Sequence, residues 1–256
     1  MANSIHDITL VVALRIDSEF REQNYDFHKK YWGNMDVKVI YVLDEGDGIF
    51  HKTKMLNDGF KHVHTKYAAI VDVDCIFDLY LLQKSIEEAD EKTFVIPFNN
   101  VKHRNIQGEV LFEWANAPTV NKETLDRYFY TGKFDTIIDY DNMNLPYIEA
   151  SPGLCGVFQT DMYKSCGFEN ENCIDYAFED IERIVRMRKL GMNVKWLEAT
   201  GYHLFHPNDS RKRNKLFRNN FFEYLKICDM EKEEIQEYVK SWKQDSKAPS
   251  FTIIKL

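Results

Sequence analysis

Along the first hundred residues, short apolar runs alternate with polar stretches in which apolar side chains recur at helical spacing. Ile8 to Leu14 is apolar except for Thr9, the composition of a buried strand. A polar loop follows, and Ser18 to Trp32 reads as a helix. Val37 to Leu43 predicts a second strand, closed by the acidic turn Asp44-Glu45-Gly46-Asp47-Gly48. From Lys52 to His64, Met55, Leu56, Phe60 and Val63 make an apolar stripe of helical period. Tyr67 to Val71 starts a third strand, with Asp72 and Asp74 at its carboxyl end. A helix over Leu79 to Ala89 and a strand over Thr93 to Phe98 complete the series. Such alternation predicts an α/β fold, a mostly parallel sheet flanked by helices and joined by right-handed crossovers.

The stretch from 100 to 150 is rich in Asn, Asp and aromatics and reads as irregular. Val157 to Thr160 predicts a short strand. Phe178 to Leu190 predicts a helix stopped by Gly191, and Val194 to Leu197 one more strand. Beyond Pro207 the chain turns basic, Arg211-Lys212-Arg213-Asn214-Lys215. It then becomes helical, with Leu216, Phe217, Phe221, Leu225 and Ile227 apolar.

Composition narrows the class. A chain of 256 residues, 44% hydrophobic and 14% aromatic, has the means to bury one full core. Its 33 basic and 41 acidic residues leave a charge of −8, which weighs against a protein coated in nucleic acid. Five cysteines include no Cys-x-x-Cys pair, so reduced thiols are expected and a zinc site is not. No apolar run reaches the length of a membrane span, and the first residues lack the pattern of a signal peptide. A cytoplasmic protein is the expectation.

The chemistry starts at Asp72 and Asp74. Open α/β sheets bind ligands at the carboxyl ends of their strands, where these two residues fall. If the strand continues through them, i and i+2 point to one side and both carboxylates converge. Hard oxygen ligands there suit Mg²⁺ or Mn²⁺ bridging a diphosphate.

Four more segments share a pattern with this one. Lys52-Thr53-Lys54-Met55-Leu56-Asn57-Asp58-Gly59 precedes the Asp-x-Asp strand, and Asp44 ends the strand before it. Phe178-Glu179-Asp180 opens a helix, and Tyr202-His203-Leu204-Phe205-His206-Pro207 comes late in the chain. In order and spacing the set resembles nucleotide-sugar glycosyltransferases of the GT-A fold, near family 2 and the galactosyltransferase-like branch. The resemblance implies a GT-A catalytic domain over 1–207. Within it, 1–100 is the nucleotide-sugar-binding half and 101–207 the acceptor-binding and catalytic half. Residues 208–256 form a helical extension of the same domain.

The resemblance also implies roles. Asp74 and His206 are the first choices as metal ligands, with His203 and Asp72 beside them. A carboxylate and imidazole set suits Mn²⁺ better than Mg²⁺. His203 and His206 are three apart, so both face one site on a helical turn but only one does on an extended segment. Arg15, Asp17, Asp44, Lys52, Lys54, Asn57, Asp72 and Val73 are candidate donor contacts, with Arg21 and Asn24 near the first-strand loop. Asp180 is the candidate general base of an inverting displacement, and Glu179 a hydrogen-bond partner of the acceptor. Gly153 and Gly156 are candidate acceptor contacts. The segment departs from the commoner Gly-Gly form, and Tyr176-Ala177-Phe178 replaces the Trp-Gly-Gly of galactosyltransferases, so galactose is not implied.

The implied function is metal-dependent transfer from a nucleotide donor, UDP-linked by preference, to a hydroxyl of a saccharide or other acceptor. One alternative is a glycosyltransferase acting on hydroxymethylated DNA bases, for which the basic cluster Arg211 to Arg218 would serve as the contact. A sugar-nucleotide nucleotidyltransferase shares the core but normally has a Gly-rich loop after the first strand, and Leu14-Arg15-Ile16-Asp17-Ser18 has no glycine. A non-catalytic sugar-binding module is the remaining alternative; it predicts loss of Asp74, Asp180 or His206, and all three are present.

Overall fold

The structure is a computed structural model that describes residues 4–114, 154–175, 178–206, 217–242 and 251–256. Its elements in chain order are β1 (Ile8–Leu14), α1 (Glu19–Gly33), β2 (Lys38–Leu43), α2 (Lys52–Phe60), β3 (Tyr67–Val71) and β4 (Cys75–Ile76). Next come α3 (Leu79–Glu88), β5 (Thr93–Ile96), β6 (Asn100–Arg104), β7 (Val110–Trp114), β8 (Cys155–Gln159) and α4 (Thr160–Ser165). The chain continues with α5 (Glu179–Lys189), β9 (Asn193–Trp196), β10 (Thr200–Leu204), α6 (Phe217–Asp229), α7 (Lys232–Ser241) and β11 (Thr252–Lys255).

Seven strands form the main sheet in the order β11-β2-β1-β3-β8-β5-β9. β1 runs parallel to β2 and β3, and β5 parallel to β9, whereas β8 is antiparallel to both β3 and β5. The sheet is therefore mostly parallel, with only β8 and β11 reversed. Successive residues of its strands feed two cores. Leu10, Val12 and Tyr41 face Trp32 of α1 and Leu82 of α3, while Val11, Ile40 and Val42 face Leu56 and Phe60 of α2. Gly59 lets α2 lie close: a Cβ there would meet Val11 Cγ1 at 2.5 Å and Val42 Cγ2 at 2.9 Å.

A second sheet, β4-β10-β6-β7, stands beside the carboxyl end of β3. Its β6–β7 hairpin corrects the expectation of an irregular stretch after residue 100. Residues 115–153, most of that stretch, lie outside the described residues, as do Gly153 and the cluster up to Lys215. The helix expected up to His64 stops at Phe60, and the third strand stops at Val71, before the two aspartates. The extension is helical in α6 and α7 and then ends in β11, which pairs antiparallel with the edge of β2. Nothing in the pattern of Thr252–Lys255 distinguishes a strand from a tail; the open edge of β2 supplies the partner. All five cysteines are free thiols. Among the described residues, no helix is long and apolar enough to cross a membrane.

Candidate metal and catalytic site

Asp72-Val73-Asp74 is a turn, not strand: the Cys75 N–H donates to Asp72 O at 2.9 Å. The alternation of a strand therefore does not apply, and the two carboxylates have different surroundings. Asp74 is 3% exposed. Burial raises its carboxyl, but His203, His206 and the fixed charge of Arg21 outweigh burial and hold it well below the usual range. Asp72 turns toward Lys52, Nζ to Oδ1 2.9 Å. Burial pushes it up to about 6, with Asp74 adding and Lys52 opposing. Val73 between them is buried.

Strand pairing brings the histidines to Asp74. β4 pairs with β10 so that Cys75 lies opposite His203, and the Leu204 N–H donates to Asp74 O at 2.6 Å. His203 Nε2 lies 3.8 Å from Asp74 Oδ1, and His206 Nε2 3.2 Å from Asp74 Oδ2. One ligand atom each from Asp74, His203 and His206 falls within 4.8 Å of the others. His203 lies in β10 and His206 beyond the strand's end at Leu204, so the alternation of a strand does not bind the pair, and both imidazoles converge on Asp74. Asn24 of α1 ties the segment between them by donating to Phe205 O at 3.4 Å.

Does this set fit a divalent cation? One carboxylate and two imidazoles are donors that Mn²⁺ accepts. Burial lowers the His203 pKa, against Asp74, which favours the neutral, ligating ring, and its buried Nδ1 has no hydrogen-bond partner among the described residues. The donor set fits, and Asp72, engaged by Lys52, is no member of it.

Glu179 and Asp180 begin α5. Phe178, the residue before them, has φ 64° and ψ −15°, a left-handed conformation uncommon for a bulky residue. Its ring packs against Phe221 and Tyr224 of α6, centroids 5.1 and 5.8 Å apart. Asn220 of the same helix accepts from Ile174 N and donates to Ile174 O, each at 2.9 Å, fixing the approach to α5. The extension thus braces the acidic pair. Glu179 is 3% exposed; its Oε1 lies 3.3 Å from Lys52 Nζ, and its Oε2 has no partner among the described residues. Burial and then Asp180 push it up to about 7, against Lys52 and Arg183. Lys52 bridges Asp72 and Glu179, and those carboxylates with Asp180 raise its pKa well above normal although burial acts the other way. Asp180 keeps 19% of its side chain exposed and accepts from Arg183 Nη1 at 3.0 Å.

The remaining candidates divide. Arg15 pairs with Asp44 through Nε at 3.1 Å and Nη2, donates to Gly48 O at 2.7 Å, and lies over the Phe50 ring. Asp17 is exposed beside the helix cap, which is Ser18. Lys54 turns to Asp58 at 3.5 Å, not to the Asp72 turn. Asn57 is 4% exposed and spends its amide on Glu169: it accepts from Glu169 N and donates to Glu169 O, both at 3.0 Å, and to Glu171. Gly156 lies in β8 opposite Ile70, beneath the Phe94 ring, where a Cβ would meet Cζ at 2.0 Å. In the structure it is a core packing position. Three neighbours carried no local signal. His103 packs against His203 with the rings tilted, centroids 4.5 Å apart, through the β6–β10 register. Glu169 and Arg183 meet across 14 residues.

No protein-family profile matches the chain, and no curated protein matches it in sequence. Among solved structures it is similar to Drosophila β1,4-galactosyltransferase 7 with manganese, UDP-Gal and xylobiose. That similarity has 14% identity and a TM-score of 0.53 over 84% of this chain and 78% of that one. It is also similar to GalNAc-T7 with UDP, GalNAc and Mn²⁺, at 10% identity and TM-score 0.54. There it covers 91% of this chain and 50% of the other. With the sheet order and the Asp74 turn already described, these likenesses establish the architecture: the chain has the GT-A fold of nucleotide-sugar glycosyltransferases.

Proposed function

We propose that this protein is a metal-dependent glycosyltransferase that moves a sugar from a UDP-linked donor to a hydroxyl of a saccharide acceptor with inversion. The observation that carries the reading is the convergence of Asp74, His203 and His206 at the carboxyl edge of β3, with Lys52 joining that turn to Glu179. Both similar structures hold manganese and a uridine nucleotide or nucleotide sugar, which agrees with this donor class.

Asp74, His203 and His206 hold the cation, which when bound offsets charge on the departing diphosphate as a Lewis acid. Arg15 after β1, Asp44 after β2 and Phe50 before α2 meet beside the sheet's carboxyl edge and form the side on which the nucleoside rests. Asp180 takes the proton of the acceptor hydroxyl as that oxygen bonds to the anomeric carbon. The bond from that carbon to the β-phosphate oxygen breaks in the same step, its electron pair leaving with UDP. Glu179, with burial favouring its protonated form, donates a hydrogen bond beside the acceptor. Lys52 keeps the two carboxylate groups on either side of the reaction in register.

The test is Mn²⁺-dependent release of UDP from a panel of UDP-sugars, with saccharide acceptors and with water alone, followed by NMR of the product's anomeric configuration. Acceptor-stimulated release with inverted configuration is the expected result. No release from any UDP-sugar in the presence of Mn²⁺ excludes the proposal.

A further inference from the structure

Arg183 follows Asp180 by one helical turn, and such pairs are ordinary on exposed helix faces, where they contribute little. This one is not exposed. Arg183 is 4% exposed and Glu169, from the loop before α5, 1%. Arg183 Nε donates to Glu169 Oε1 and Nη2 to Glu169 Oε2, both at 2.8 Å, a two-toothed fork. The Tyr163 hydroxyl also donates to Glu169 Oε1, and Asn57 of α2 clamps the Glu169 backbone on both sides. The guanidinium therefore has one orientation, and in it Nη1 reaches Asp180 Oδ1 at 3.0 Å.

A buried pair of this kind adds little net stability, because desolvating both charges offsets their attraction. What it fixes is direction. We infer that Arg183, anchored by Glu169, is a positioning residue for Asp180: it occupies Oδ1 and aims Oδ2 at the acceptor hydroxyl. The inference rests on Asp180 being the base proposed above. It assigns to a buried ion pair a part in the reaction that neither residue plays by contact with substrate.

Replacing Arg183 alone strands a buried Glu169 carboxylate and risks the fold. The informative variant is Glu169→Gln with Arg183→Met, which removes both charges together. Its crystal structure beside the wild type is the first readout: Asp180 is expected to leave its position, and an unmoved Asp180 overturns the inference whatever the activity. The second readout is kcat and donor KM on the UDP-sugar that the wild type uses. The double variant is expected to keep its unfolding midpoint and donor KM and to lose on the order of 10²-fold in kcat. Added to Asp180→Asn it is expected to cost nothing more. If Asp180→Asn is inactive while the double variant keeps full kcat, positioning by Arg183 is wrong and the base assignment stands. If Asp180→Asn keeps full kcat, the base assignment itself is wrong.

Discussion

Arg21 donates from Nη1 to Asp74 Oδ2 at 2.5 Å, the same carboxylate oxygen that lies 3.2 Å from His206 Nε2. A guanidinium thus stands on the oxygen best placed to bind a cation. Fixed positive charge at that distance opposes a divalent ion, and the pair is partly buried, where screening is weak. Arg21→Ala is expected to tighten binding of Mn²⁺ alone several-fold, about 1 kcal/mol, in calorimetric titration. Weaker binding in the variant would show that Arg21 supports the site instead of competing for it.

Asp180→Asn is expected to leave UDP affinity in Mn²⁺ within about twofold and to lower kcat by on the order of 10³-fold or more, since the amide cannot take the proton. Parallel binding and turnover measurements check both halves. A variant that loses UDP binding assigns Asp180 to the donor.

Gly156 separates packing from recognition. A Cβ 2.0 Å from Phe94 Cζ forces the ring or the strand to move, at a cost of about 1–3 kcal/mol. Gly156→Ala is expected to lower the unfolding free energy by that much, with a lower denaturant midpoint, while the folded fraction keeps its acceptor KM. An unchanged midpoint with a raised acceptor KM would return Gly156 to the acceptor site.

His28 gives the fold a pH dependence. It is fully buried; Trp32 Nε1 donates to its Nε2 at 3.1 Å, so the neutral ring carries its proton on Nδ1, 2.8 Å from the Tyr41 hydroxyl. Burial lowers its pKa to about 3, with a small opposing effect of Asp74. The unfolded chain, with an ordinary histidine pKa near 6.5, binds the proton first. The contribution is therefore complete above about 6.5 and is lost as pH falls toward about 3. Between about pH 6.5 and 4.5 the wild type is expected to lose about 2 kcal/mol more than His28→Gln. Urea melts across that range check it, and equal losses in the two proteins would remove His28 as the cause.

The alternation of apolar runs with helical stripes predicts β1, α1, β2, α2, β3, α3 and β5 in their observed order, though not the two-residue β4, because each of those buried strands is local and strongly apolar. Asp74, His203 and His206 were legible as residue types, but their convergence was not. It depends on a two-residue strand, β4, pairing with β10, an interaction with no local signature. For the same reason Asp72 was expected beside the metal, whereas the turn after Val71 sends it to Lys52. Asn57 fits the motif but spends its amide on Glu169, and Gly156, in a segment that departs from the motif, lies beneath Phe94, since sequence does not distinguish a polar or small residue facing a ligand from one facing the interior. Glu169, Arg183 and His103 depend wholly on tertiary register.

The central claim is that Asp74, His203 and His206 hold a divalent cation that binds a uridine diphosphate. Its most direct test is calorimetric titration of UDP with and without Mn²⁺, on the wild type and on His206→Ala. The account predicts UDP binding that needs Mn²⁺ in the wild type and is weakened at least tenfold in the variant, about 1.4 kcal/mol or more. Equal UDP affinity with and without the metal, or in both proteins, would contradict it.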